Sequence, residues 1–358
     1  MNIPHAANVD TFCLAGLKRR NHLTRCRGQY RRLLRLAGSI HLLLLLTPAF
    51  PAEPPLPKLA IELIPSTLDG EEQPVRSWAP ASASTEPAPL LVSLHSWSGD
   101  GSQDRSEWLR EAVRRNWVYI QPHFRGSNIR PEACGSPLAQ QDILDAVDWA
   151  HQRFQLDTKR IYLAGVSGGG HMTMLVVAQH PERFSAASAW VGPTDLVKWY
   201  HFHTRNGRPQ RYAQMVAACC GGAPGASAEV DAQYRARSPV FHLRNVGALP
   251  LDLNAGVKDG VTGSVPIHHT LRAYNSVAQS HGDPIIPEAT MDELWAAGQL
   301  SQPEPTDTAE DPSYGRKILL RRTSGNTRVT IFDGTHEAIV PAACDWLSQQ
   351  KRETTKSP

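Results

Sequence analysis

An apolar, β-rich run, Ile161-Tyr162-Leu163-Ala164, stops at Gly165 and turns through Val166-Ser167-Gly168-Gly169-Gly170. It then continues as an apolar helical pattern from Met172 to Ala178. No other stretch constrains the fold as much: a strand must deliver one serine into a tight turn that opens directly into a helix. Such a turn forces strained dihedrals on the serine and leaves room only for small neighbours, which Gly165 and Gly169 are. The Ser167 hydroxyl then stands at the carboxyl end of a strand, over a helix N-terminus that favours developing negative charge. A phosphate-binding loop would need a Lys after the last glycine, and His171 stands there instead.

The chain has 358 residues, enough for one large α/β domain, and a net charge of +3 with no basic stripe suited to nucleic acid. Near the start, basic residues from Lys18 to Arg35 precede the apolar segment Leu36 to Phe50, with five leucines at Leu42–Leu46. The apolar core is too short for a membrane span and is closed by Pro48 and Pro51, so residues 1–52 read as a signal peptide and the mature chain as secreted or periplasmic, with no stable span after processing. An uncleaved anchor is the alternative. In an oxidising compartment Cys134 could bridge to Cys219 or Cys220, all three in Gly/Pro-rich surroundings; four buried free thiols, Cys344 included, is the competing expectation.

Residues 53–351 are expected to form the catalytic domain, with a polar tail at 352–358. Ile61–Leu68 and Gln73–Trp78 read as a hairpin about Asp69-Gly70. Strands are expected at Leu90–Leu94, Trp117–Gln121, Ile161–Ala164, Ala186–Val191, Pro250–Ala255, Lys317–Arg322 and Thr327–Phe332. Helices alternate with them, which predicts a mostly parallel central sheet with helices on both faces. The alternation breaks at about 197–246, a segment too polar for core and expected to be a cap or lid. Ser301–Pro312, acidic and Pro-containing, is expected to be a mobile loop.

A serine hydroxyl is a weak nucleophile and needs a base, which needs an orienting carboxylate, in the chain order Ser, acid, His. His336 alone lies just past a clear strand, in Asp333-Gly334-Thr335-His336. Asp259 follows the end of another strand, at Gly256-Val257-Lys258-Asp259. It is preferred over Asp252, inside that strand, over Asp333, and over Asp195, expected to cap a helix. Gly168 N–H should supply one oxyanion donor and Trp97 N–H the second, with Ser96 N–H as alternative. His95, Trp190, Trp199 and Tyr200 are candidates for substrate contact. No cofactor is expected; His201-Phe202-His203 is the one pair a metal could use, with Asp195 as its only acidic neighbour.

Asp157-Thr158-Lys159-Arg160-Ile161, Gly165-Val166-Ser167-Gly168-Gly169, His180-Pro181-Glu182-Arg183-Phe184 and Val191-Gly192-Pro193-Thr194-Asp195-Leu196 resemble, as a set, the catalytic domain of the prolyl oligopeptidase family. The likeness continues through Tyr234–Pro239 and Gly256–Asp259 and ends at His336. It implies an α/β-hydrolase fold and carries a Ser-Asp-His triad onto Ser167, Asp259 and His336. Peptidases of that family place a β-propeller before the catalytic domain, and the segment ahead of Leu90 is too short for one. They also often use a Tyr hydroxyl as oxyanion donor where this chain has His95-Ser96-Trp97. Ser66–Gly70 and Pro89–His95 are instead similar to secreted polysaccharide esterases of the feruloyl and acetylxylan type. The expectation is an exported serine hydrolase acting through an acyl-enzyme on a small ester or acylated carbohydrate. The alternatives are an oligopeptidase or aminopeptidase acting on short peptides, and a non-catalytic binding protein of the same fold.

Overall fold

The computed structural model describes residues 55–353; the expected signal segment 1–52 lies outside the described residues. The hairpin forms as β1 (Ala60–Pro65) and β2 (Glu72–Trp78), with Gly70 at φ +74° in the turn. Strands and helices then alternate: β3 (Ala88–Leu94), α1 (Ser106–Arg115), β4 (Val118–Pro122), α2 (Pro137–Arg153), β5 (Leu156–Val166), α3 (Gly168–Gln179) and β6 (Ala186–Trp190). The excursion comprises α4 (Leu196–Phe202), the small pair β7 (Thr204–Arg205) and β8 (Arg208–Pro209), α5 (Arg211–Cys220) and α6 (Ala228–Ala236). Beyond it come β9 (Leu251–Gly256), α7 (His268–His281), α8 (Glu288–Ala297), β10 (Ile318–Ser324), β11 (Thr327–Phe332) and α9 (Val340–Ser348).

One nine-stranded sheet runs β1-β2-β4-β3-β5-β6-β9-β11-β10. The strands from β4 to β11 pair parallel, and antiparallel strands close both edges. Every residue of β3, β4, β6 and β9 is buried, so the middle of the sheet is covered on both faces, which is why these strands read as unbroken runs without alternation. Register fixes the site. Leu94 pairs with Gly165, Val166 with Trp190 and Gly256 with Phe332. The loops carrying Trp97, Ser167, Asp259 and His336 therefore leave the same edge of the sheet.

Two expectations need correction. The excursion is not too polar for core: Leu196, Trp199 and Tyr200 on α4 meet Val216 and Cys220 on α5 and Tyr234 on α6 in a separate buried cluster. Their spacings of three and four residues put them on single helix faces, with the polar residues outward. The segment Ser301–Pro312 is pinned, because the fully buried Asp307 accepts from Arg321 N (2.9 Å) and Glu304 N (2.9 Å) and pairs with Arg322. Arg352, at the start of the expected polar tail, donates its N–H to Lys159 O at 3.0 Å; residues 354–358 of that tail lie outside the described residues.

Arg125 is a further anchor. Its buried guanidinium meets Asp69 (2.8 Å), Glu71 (2.7 Å) and Asp142 (2.7 Å), joining the hairpin to α2. Burial holds the Asp142 carboxyl above its usual pKa even with Arg125 beside it. Arg125→Leu should therefore lower stability by about 3–5 kcal/mol, because it strands that carboxylate in the interior. Urea unfolding of the two proteins measures this; a change below about 1 kcal/mol would show that the cluster is not an anchor.

Candidate active site

Ser167 occupies the turn between β5 and α3 at φ 59°, ψ −117°, a conformation a side chain rarely adopts. It is held there by Ser167 N–H on Trp190 O (2.8 Å) and by His171 N–H on Ser167 O (2.9 Å). The flanking glycines are required by close backbone approach: a Cβ on Gly165 would lie 2.4 Å from the Gly169 carbonyl, and one on Gly168 2.2 Å from Trp97 N.

The three residues chosen from sequence converge. His336 Nε2 lies 2.9 Å from Ser167 Oγ, and His336 Nδ1 lies 2.8 Å from Asp259 Oδ2. Asp259 is fully buried, and its Oδ1 accepts from Gly260 N (2.9 Å) and Val265 N (3.0 Å), so the carboxylate is fixed and only one oxygen faces the imidazole. The loops after β9 and β11 touch backbone to backbone: a Cβ on Gly256 would sit 2.3 Å from Thr335 O, and Lys258 N–H reaches Gly334 O at 3.0 Å. Asp252 lies inside β9 with Ser188 (2.9 Å) and Arg328 (2.9 Å), Asp333 pairs on the surface with Lys258, and Asp195 caps α4 through Lys198 N–H.

The oxyanion choice narrows. Ser96 N–H donates to Gln103 Oε1 at 2.7 Å and is spent. Among the described residues nothing accepts from Trp97 N–H, which abuts Gly168, the first residue of α3. Gly168 N–H is one of the unpaired donors of a helix start. The amides of Trp97 and Gly168 thus have no acceptor among the described residues, and the Trp97 backbone packs directly on the residue after Ser167.

The expected substrate contacts do not survive. Trp190 is fully buried, Trp199 and His95 are buried to within 1%, and Tyr200 is buried too. Each was placed near the site by chain position, but each packs inward. His95 stacks on Phe124 at 3.8 Å with its Nε2 on His123 O, and burial pushes its pKa down to about 4, so the ring is neutral. Trp199 lies edge-on to Trp97 at 4.5 Å. His201 and His203 do not converge on a site: His203 Nε2 bonds Ser264 O at 2.8 Å, and among the described residues no group of three metal-ligating side chains forms.

Cys134, Cys219 and Cys220 come together between the loop before α2 and the end of α5, but as free thiols and not as a bridge; Cys344 is free and buried elsewhere. Burial raises the Cys134 thiol, while the hydrogen bond from Cys134 lowers that of Cys219.

Three supporting residues escaped sequence reading. Trp295 Nε1, on α8, donates to Asp259 O at 2.9 Å; α8 itself was missed, although Pro287 before it and Gly298 after it (φ 71°) are its start and stop signals. Ser264 Oγ stands 3.4 Å from His336 Nε2, and Ser264 O also accepts from Trp199 Nε1 (2.8 Å). Gln103 Oε1 accepts from Ser96 N–H at 2.7 Å. No local pattern marks the last two, because each acts through a partner distant in sequence.

The family model described as the prolyl oligopeptidase family matches residues 104–293, more than half of the chain. Among curated relatives, a bifunctional acetylxylan esterase/xylanase of Neocallimastix patriciarum is 25% identical over 41% of this chain and 23% of its own length. An acetylxylan esterase of Coprinopsis cinerea is 28% identical over 29% of this chain and 30% of its own length, and dipeptidyl aminopeptidase BIII of Pseudoxanthomonas mexicana 25% identical over 47% and 26%. This chain's matches thus span only about a quarter of those proteins. Of solved structures, a puromycin-hydrolyzing peptidase of Mycobacterium tuberculosis superposes with a TM-score of 0.54 at 16% identity, over 81% of this chain and 37% of that one. Prolyl oligopeptidase B of Galerina marginata gives 0.52 at 17% identity over 67% and 35%, a likeness of fold. With the elbow, the sheet order and the matched family in agreement, the chain belongs to the prolyl oligopeptidase family: it is an α/β-hydrolase, built as a serine hydrolase.

Proposed function

We propose that Ser167, His336 and Asp259 are the nucleophile, general base and orienting acid of a hydrolase acting on a carboxylic ester of a small acylated molecule or carbohydrate. The observation that carries the mechanism is the unbroken line from Asp259 Oδ2 through His336 to Ser167 Oγ, beside two backbone donors. Ser167 Oγ attacks the carbonyl carbon as its proton passes to His336 Nε2, and Trp97 and Gly168 N–H groups receive the oxyanion. Collapse expels the alcohol, protonated by His336, and leaves an acyl-Ser167 ester that water, activated by the same imidazole, releases as the acid. Asp259 keeps the imidazole in the tautomer that accepts at Nε2 and stabilises the imidazolium.

Ester over peptide is supported by the acetylxylan esterases among the relatives and by an oxyanion donor set of backbone N–H groups without a tyrosine hydroxyl. The peptidase reading is supported by the aminopeptidase relative. Export rests on the basic region and leucine run ahead of Pro51. Steady-state rates on aryl acetates, acetylated and feruloylated sugars and dipeptide amides separate the readings. The ester reading expects kcat/KM on an acetylated sugar to exceed that on any peptide amide by at least about tenfold; the reverse order would replace it with the peptidase.

A further inference from the structure

We infer that Gln103, together with Arg105, is a positioning unit for the oxyanion hole, fixing the loop that presents Trp97 N–H. Gln103 lies between β3 and α1 and touches none of the reacting groups. Its Oε1 accepts two bonds at once, from Ser96 N (2.7 Å) and from Arg105 Nη2 (3.0 Å). The first bond consumes the amide next to Trp97, while Trp97 N–H keeps no acceptor among the described residues. The acceptor is itself tied to the sheet, since Gln103 O receives Gln121 Nε2 from β4 at 2.7 Å and Gly101 O receives the same amide at 3.1 Å. Gln121 is buried to within 1%. The loop is shaped around this side chain: a Cβ on Gly99 would lie 2.5 Å from Gln103 Oε1.

Arg105 extends the unit toward the nucleophile. Its Nη2 also donates to Ser96 Oγ (3.1 Å), and Ser96 Oγ reaches Val166 O (3.4 Å), the carbonyl just before Ser167. Arg105 forms no ion pair among the described residues, and its Nε is buried without an acceptor. An unpaired, partly buried guanidinium is costly to keep. Here it bonds the side chain of Ser96, the residue before Trp97, and so holds a fixed positive charge against the loop that presents the second donor.

The inference rests on Ser167 as nucleophile. Gln103→Ala should lower kcat on an aryl acetate about 10- to 100-fold with KM changed less than about threefold, since a donor is misplaced and not removed. Affinity for a trifluoromethyl ketone, which forms a tetrahedral adduct on serine, should fall by the same factor. Gln103→Glu keeps both acceptor roles and should retain at least a third of wild-type kcat, whereas Gln103→Lys, of similar length but donor only, should match the alanine variant. The Glu and Lys variants decide the matter even if the alanine variant folds poorly, and thermal unfolding of each shows which are folded. Wild-type kcat in Gln103→Ala or Gln103→Lys, a loss in Gln103→Glu equal to that in Gln103→Lys, or a change in KM with unaltered ketone affinity would overturn the inference. Activity surviving Ser167→Ala would instead remove the reading beneath it.

Discussion

Replacing Ser167 by alanine should reduce hydrolysis to background, a fall on the order of 10⁶ in kcat, while leaving the fold intact. The side chain does one thing in this structure: its Oγ–H donates to His336 Nε2 at 2.9 Å, and among the described residues no other group bonds to it. The backbone that holds the turn belongs to the amide and carbonyl of the same residue, bonded to Trp190 O and His171 N, and alanine keeps both. A smaller side chain at φ 59° does not add strain, so circular dichroism and the unfolding midpoint should match wild type. Residual turnover above roughly one part in 10³ in an enzyme free of wild type would mean that another nucleophile does the work.

Asp259→Asn should lower kcat by about 10⁴, with KM little changed. The amide preserves size, yet presents either a carbonyl or an NH₂ to His336 Nδ1. Because Oδ1 is committed to Gly260 and Val265 N–H groups, the oxygen must stay there and the NH₂ must turn to the imidazole. That forces the proton onto Nε2, the nitrogen that has to accept from Ser167. Asp252→Asn, in the same strand region but bonded to Ser188 and Arg328, is the control and should lose stability more than turnover. Steady-state kinetics on both variants checks this; a dead Asp252→Asn beside an active Asp259→Asn would reverse the assignment.

Much of this site could be read before any coordinates, for a physical reason. The elbow's glycines, the strand that feeds it and the loops with Asp259 and His336 are local patterns, and parallel pairing brings strand ends to one edge without further information. Asp259 was separable from Asp252 by position alone, since a residue within a buried central strand cannot reach a loop. What failed was side-chain direction. Trp199 and Tyr200 look like lid aromatics in a polar segment, yet their spacing with Leu196 turns them into that segment's own core. The acidic stretch around Asp307 looked mobile because its partners, Arg321 and Arg322, lie on a strand further along. Gln103 and Ser264 carry no local signature at all, because a single polar side chain gains its role only from what folding sets beside it.

The most direct test of the central claim is to treat the protein with a fluorophosphonate and map the adduct by peptide mass spectrometry, in wild type and in His336→Ala. A catalytic serine reacts because a base takes its proton and an oxyanion hole receives the phosphoryl oxygen. One adduct is expected, on Ser167, in stoichiometric yield for wild type and slowed by at least about a thousandfold in His336→Ala. An adduct on any other residue, or equal labelling rates in the two proteins, would contradict the triad.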